Sequence, residues 1–165
     1  MIDFFFLPEE IVQGGSVAGI YPLSRKSPDA FSRLKTNNYL ASAMAARYAR
    51  EKHWHDALLL NTHDRICESS VANVFIIRYG RLYTPPLPEG CVAGVMRRFA
   101  LHTLPEAGYS IQELPLEQAY LYEADEVFLT NALSLRSLGR CDDAVYTDQI
   151  SRDIFRLLNE KWQSS

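Results

Sequence analysis

The segment that most limits what this chain can fold into is Val74-Phe75-Ile76-Ile77-Arg78-Tyr79-Gly80-Arg81-Leu82-Tyr83-Thr84. β-Branched and aromatic residues lie on both sides of Tyr79-Gly80, where glycine permits the tight reversal that joins two antiparallel strands, so the stretch reads as a hairpin. Pro85 and Pro86 follow at once and stop the second strand, because proline has no N–H to give to a ladder. The fold therefore has to contain a sheet with antiparallel pairing.

The flanking sequence alternates between the two periods. Asp56 to Asn61 reads as a short buried strand, Tyr109 to Leu114 and Glu126 to Thr130 as two more, and the opening to Tyr21, with Gly14-Gly15 and Gly19, as extended strands and tight turns. Met1 to Leu7 is apolar, but Asp3 interrupts it, no basic region precedes it and Pro8-Glu9-Glu10 ends it, so it reads as a strand and not as an export signal. Arg25-Lys26-Ser27-Pro28-Asp29 reads as a polar loop. Asn38 to Lys52 is alanine-rich with apolar residues at helical spacing and predicts a buried helix that begins just after Lys35. Gly94 to Glu106 predicts an amphipathic helix, Leu116 to Tyr122 a short one, and Ser151 to Trp162 a terminal one. Helices alternating with strands, with hairpins among the strands, predict one α+β domain over residues 1–165 built on a mixed sheet.

Bulk properties narrow the function classes. The 165 residues suffice for one ordinary core without disulfides, and a formal net charge of −3 with no long basic run argues against nucleic acid as a partner. Cys67, Cys91 and Cys141 are odd in number and widely spaced, which fits small buried hydrophobes in a reducing cytoplasmic setting. No apolar run approaches the length of a membrane span.

Three positions carry chemistry. Lys35, in Arg33-Leu34-Lys35-Thr36-Asn37-Asn38-Tyr39, offers an amine; Glu68 offers a carboxylate; and Gly94-Val95-Met96 opens a helix with a glycine where backbone N–H groups converge. An amine, a partner for a ring nitrogen and a phosphate cradle are the handles that pyridoxal phosphate needs. Each has a bland alternative. A lysine is usually a solvated charge, Glu68-Ser69-Ser70 reads locally as a solvated polar turn between strands, and a glycine before a helix is usually only a turn. His53-Trp54-His55 lacks a third ligand of suitable spacing and reads as a helix-end surface cluster, so no metal site is expected. The side chains of the adjacent carboxylates Asp125-Glu126 and Asp142-Asp143 diverge, and they read as solvated loop or strand-edge charge.

The order of several blocks adds to this reading. Lys35-Thr36-Asn37-Asn38-Tyr39, Glu68 to Phe75, Thr84-Pro85-Pro86-Leu87, Gly90 to Arg97 and Ala124 to Ala132 occur in a sequence that resembles the class IV aminotransferases. These are the fold type IV pyridoxal-phosphate enzymes, which include branched-chain and D-amino-acid aminotransferases and aminodeoxychorismate lyase. The resemblance runs from Val12 to about Leu158. It implies the barrel-like mixed sheet of the C-terminal domain of that family, flanked by helices. It also implies that pyridoxal 5'-phosphate is the cofactor and that Lys35 is the Schiff-base lysine and proton shuttle. Glu68 would pair with the ring nitrogen, Tyr39 with the ring hydroxyl, and Gly94, Val95, Met96, Asn131 and Ala132 would hold phosphate. An amino-acid or aminochorismate substrate and a homodimer follow from the same resemblance. Tyr39 and Thr84-Pro85-Pro86 lean toward the branched-chain enzymes. Asn131-Ala132-Leu133 leans toward the lyases, and Met96 replaces a threonine typical of the aminotransferases. The resemblance further implies a smaller N-terminal domain ahead of this region, which this sequence is expected to lack. Transaminase, lyase and a cofactor-domain remnant that folds or dimerises without catalysing are all compatible with the sequence.

Overall fold

The computed structural model describes residues 15–163; the strand expected over Met1 to Leu7 and the turn residue Gly14 lie outside the described residues. The hairpin forms as predicted. β4 (Asn73–Arg78) and β5 (Arg81–Thr84) pair antiparallel, and Tyr79 and Gly80 both take positive φ, 49° and 71°, the mirror-type turn whose twist suits two right-twisted strands.

The other described strands are β1 (Ser16–Ile20), β2 (Asp56–Leu60), β3 (Ile66–Ser69), β6 (Ile111–Glu113), β7 (Glu126–Thr130), β8 (Leu135–Cys141) and β9 (Ala144–Val145). Around the hairpin they form one mixed sheet in the order β3-β2-β1-β8-β7-β4-β5-β6, with β9 beside β8. β1 runs parallel to both β2 and β8, and β6 runs parallel to β5; the other pairings are antiparallel. The sheet curls into a half-barrel flanked, among the described residues, by four helices: α1 (Leu40–Glu51), α2 (Val95–Glu106), α3 (Ala119–Tyr122) and α4 (Gln149–Gln163).

Period-two alternation sorts the side chains. Val74 and Ile76 of β4 join Leu58, Leu60, Val127, Leu129 and Leu138 in one core, while Phe75 and Ile77 face the other way into a second core with Phe128, Met96, Leu104, Ile154 and Leu158. In that second core, under α2 and α4, Phe75 stacks on Phe128 at 4.9 Å between ring centroids and Phe155 meets Phe128 edge-on. A third cluster joins α1 to the sheet through Tyr21, Ala45, Ala49, Ala57 and Leu59. Trp54 closes it by lying so near Gly19 that a Cβ there would sit 2.2 Å from the indole, so only glycine fits.

Several expectations change. α1 exists, but it starts at Leu40 and buries only Ala45 and Ala49, while Leu40 and Met44 face outward; it is a one-sided helix and not a buried one. Ser69 and Glu68 belong to β3, not to a solvated turn, because β2 offers that segment a ladder. β8 and β9 were not anticipated, since Gly139 and the arginines of Leu-Arg-Ser-Leu-Gly-Arg-Cys blur the alternation. Glu126 is buried rather than solvated. Its two oxygens accept hydrogen bonds from the Ile150 and Ser151 N–H groups, at 2.8 and 2.7 Å, and from the Ser151 hydroxyl, so it caps the start of α4 from a neighbouring strand.

Candidate functional site

Glu68 sits on β3 opposite Leu59 of β2 and is 5% exposed. Burying a carboxylate is costly unless its oxygens are paired, and both are. Oε2 accepts the Val92 N–H at 2.7 Å, and Oε1 receives the ammonium of Lys26 in an ion pair. Lys26 was not singled out from sequence, where it is one charge in a polar loop; in the fold its backbone bridges to β2, with the Lys26 N–H on the Leu60 carbonyl at 2.9 Å and the Thr62 N–H on the Lys26 carbonyl at 3.2 Å.

The Val92 peptide is the hinge of the site. Its N–H holds Glu68, while its carbonyl accepts the Gly94 N–H and the Asn73 side-chain amide, each at 2.8 Å. Next to it, the Ala93 N–H bonds to the Arg33 carbonyl at 2.8 Å, which ties the segment carrying Lys35 to the same turn. The loop between Pro22 and Tyr39 is also shaped by Asp29, whose carboxylate accepts the Phe31 and Ser32 N–H groups; those bonds hold its pKa below the ordinary 3.8. Glu68, the start of α2 and the segment of Lys35 thus meet at residues 92–94.

The structure does not bring all the expected side chains together. Lys35 is exposed, in irregular chain ahead of α1, and the bonds that hold Glu68 do not include it. Tyr39 is 61% exposed at the N-cap of α1. Met96 points into the second core, so only its backbone can face a ligand, whereas Val95 is exposed. The Asn131 carbonyl oxygen of the side chain accepts the Leu133 and Ser134 N–H groups at 2.8 and 2.9 Å, and this Asx-type bonding shapes the loop and leaves Ala132 and Leu133 outward.

The donor set nonetheless fits a phosphorylated pyridine. α2 follows Gly94 at its N-cap, with no side-chain capping bond among the described residues, which leaves a partly positive helix end. The Thr130 hydroxyl is buried and has no hydrogen-bond partner among the described residues; Thr130 faces Asn73 across the β4–β7 ladder, and the Asn73 amide lies against Gly94. The phosphate residues expected from sequence, Asn131 and Ala132, begin one residue after Thr130, whose place at the end of β7 beside Asn131 is the signal that marks it too. The neighbouring thiols are not candidates for chemistry: burial pushes Cys67 well above its ordinary value and Cys91 up to about 11. No group of three or more metal-ligating side chains occurs among the described residues.

Comparison with known proteins points the same way. The family described as amino-transferase class IV matches residues 4–137. An aminodeoxychorismate lyase of Vibrio harveyi is 35% identical over 99 residues, which are 60% of this chain and 36% of that protein. A putative 4-amino-4-deoxychorismate lyase of Legionella pneumophila has the same fold, with a TM-score of 0.81 and 29% identity over 88% of this chain and 55% of that one. A branched-chain aminotransferase of Thermobaculum terrenum in its PLP form shares the fold at a TM-score of 0.84 and 24% identity, over 89% and 50% of the two chains. The chain thus spans roughly a third to a half of the lengths of these proteins. With the family matched over most of its length and the same curled mixed sheet, the chain belongs to the class IV aminotransferase family.

Proposed function

We propose that this chain supplies the cofactor-binding part of a pyridoxal-phosphate enzyme acting on an amino-acid-like substrate, by transamination or by aminodeoxychorismate-type lyase chemistry, with a slight lean to the lyase branch. The observation that carries the reading is the buried Glu68 carboxylate, fixed on both oxygens at a turn that also carries the start of α2 and the anchor of the Lys35 segment. Bound there, pyridoxal phosphate would act as an electron sink for the bonds at a substrate's α-carbon.

The chain's residues divide that work. Glu68 would hold the ring nitrogen and stabilise its protonated form by a charge-assisted hydrogen bond. The Val95 and Met96 N–H groups at the start of α2, the Thr130 hydroxyl and the Asn131-Ala132 loop would hold phosphate oxygens. Lys35 would hold the cofactor through its amine, and would take and return a proton at the substrate carbon. Its segment is tied to the same turn by the Ala93 N–H on the Arg33 carbonyl. A homodimer is part of the same proposal by family likeness.

Incubation of the purified protein with pyridoxal phosphate, reduction with borohydride and peptide mapping test this reading. The label is expected on Lys35. A label on Lys26, or none, refutes it. Amino-group transfer from common amino acids and pyruvate release from aminodeoxychorismate then separate the two reactions, and a labelled chain silent in both assays would be a cofactor-binding module without catalysis.

A further inference from the structure

We infer that Lys26 is a positioning residue that aims Glu68 at the ring nitrogen of the bound cofactor. The inference rests on the function proposed above and adds a residue to it.

A buried carboxylate requires partners for its oxygens. Glu68 is 5% exposed, and one backbone N–H from Val92 satisfies only part of an ionised group with about four lone-pair sites. Lys26 provides the cation, on the oxygen that Val92 leaves. Its ammonium also lies 3.4 Å from the Ser32 carbonyl. A lysine side chain is normally hard to fix, but here its root is fixed: the Lys26 peptide is bonded on both sides to the end of β2, at Leu60 and Thr62. The carboxylate is therefore oriented between two anchors from different parts of the chain, the turn at Val92 and the bridge at Lys26. Two lone pairs remain for a ring N–H. Holding a binding group in its productive orientation beforehand removes the ordering cost that a ligand would otherwise meet. Lys26 acts through Glu68 and touches no reacting atom, so its loss should weaken only ligands that use the ring nitrogen.

The test is equilibrium binding of two probes to the full chain, pyridoxamine phosphate and its 1-deaza analogue, in which carbon replaces the ring nitrogen. Neither probe can condense with a lysine, so both report on the pocket without Lys35. Lys26→Met is expected to weaken pyridoxamine phosphate about tenfold, the size of one lost charge-assisted contact, and Lys26→Arg to stay within about twofold of the unaltered chain. Binding of the deaza probe should change by less than about twofold in both. If Lys26→Met folds poorly, Lys26→Gln removes the same charge with a polar side chain. Unchanged pyridoxamine phosphate binding in Lys26→Met or Lys26→Gln overturns the inference, as does an equal loss for both probes, which would mark a merely structural lysine. An unaltered chain that binds neither probe overturns the cofactor reading itself, and this inference with it.

Discussion

Asp56 offers the sharpest test of how the site is held. Its carboxylate is 2% exposed at the start of β2 and collects the Ala57 N–H at 2.8 Å, the Ser70 N–H at 3.2 Å, the Ser69 and Ser70 hydroxyls at 2.9 and 2.6 Å, and an Arg136 Nη2 at 3.1 Å. Ser69 and Ser70 follow Glu68 directly, so Asp56 fixes the turn that ends β3. In Asp56→Asn the amide oxygen can take the place of Oδ1 and keep the bonds from Ala57 and Ser70. The NH2 then occupies the place of Oδ2. Ser69 can turn its lone pair to it, but the Arg136 guanidinium cannot, since both groups are donors. Arg136 is 13% exposed at its side chain and its Nε has no hydrogen-bond partner among the described residues, so it would be left as a buried cation facing an N–H. A lost hydrogen bond to a charged group costs about 1.5–3 kcal/mol and an unpaired buried charge raises that, so Asp56→Asn should destabilise by about 2–4 kcal/mol. In urea, with a slope near 2 kcal/mol/M, the midpoint should fall by roughly 1–2 M. Adding Arg136→Met removes the stranded charge and should recover about 1–2 kcal/mol of the loss. If Asp56→Asn unfolds within about 0.5 kcal/mol of the unaltered chain, or if the double variant is no more stable than Asp56→Asn alone, the ion pair is not what secures this turn.

Two further outcomes follow from the same geometry. In Gly94→Ala the new Cβ would lie 2.1 Å from the Asn73 side-chain oxygen; the backbone accepts alanine at φ −65°, so the cost is displacement of the amide and loss of its 2.8 Å bond to the Val92 carbonyl, about 1–2 kcal/mol by chemical unfolding. Asn73→Ala removes that bond already, and a double variant much less stable than Asn73→Ala would disprove this account. Burial pushes the Cys91 and Cys141 thiols up to about 11 and 12, and Cys67 higher still, so each stays neutral at pH 8. An alkylating reagent at pH 8 should label none of them in the folded protein and all three in denaturant, and rapid labelling of the native chain would contradict the packing described here.

The legible part of this protein was local. The Tyr79-Gly80 turn, the two prolines behind the hairpin, the strand Glu126–Thr130 and the helices after Gly94 and near the C-terminus are written in residues close in sequence, because turn chemistry and side-chain period act over a few residues. The ordered blocks around Lys35, Glu68 and Gly94 likewise identified the family, and its model matches residues 4–137. Short strands such as β3 and β9 were not legible, since their stability comes from a neighbour supplied by the fold.

Residue order alone states which groups are available: a lysine before a helix, a carboxylate in a short polar turn between strands, and a glycine at a helix start. Their environment comes from the packed sheet. Glu68 reads as a turn residue until β2 and the Val92 turn bury it, and Lys26 reads as loop charge until a bridge to β2 carries it onto a carboxylate 42 residues away. Glu126 reads as surface charge until the start of α4 arrives to use its oxygens. In each case the residue type sets what bonds a side chain can make. The cost of leaving a buried charge unpaired then sets which distant partner it must find, and that partner is specified by the packing of the whole sheet.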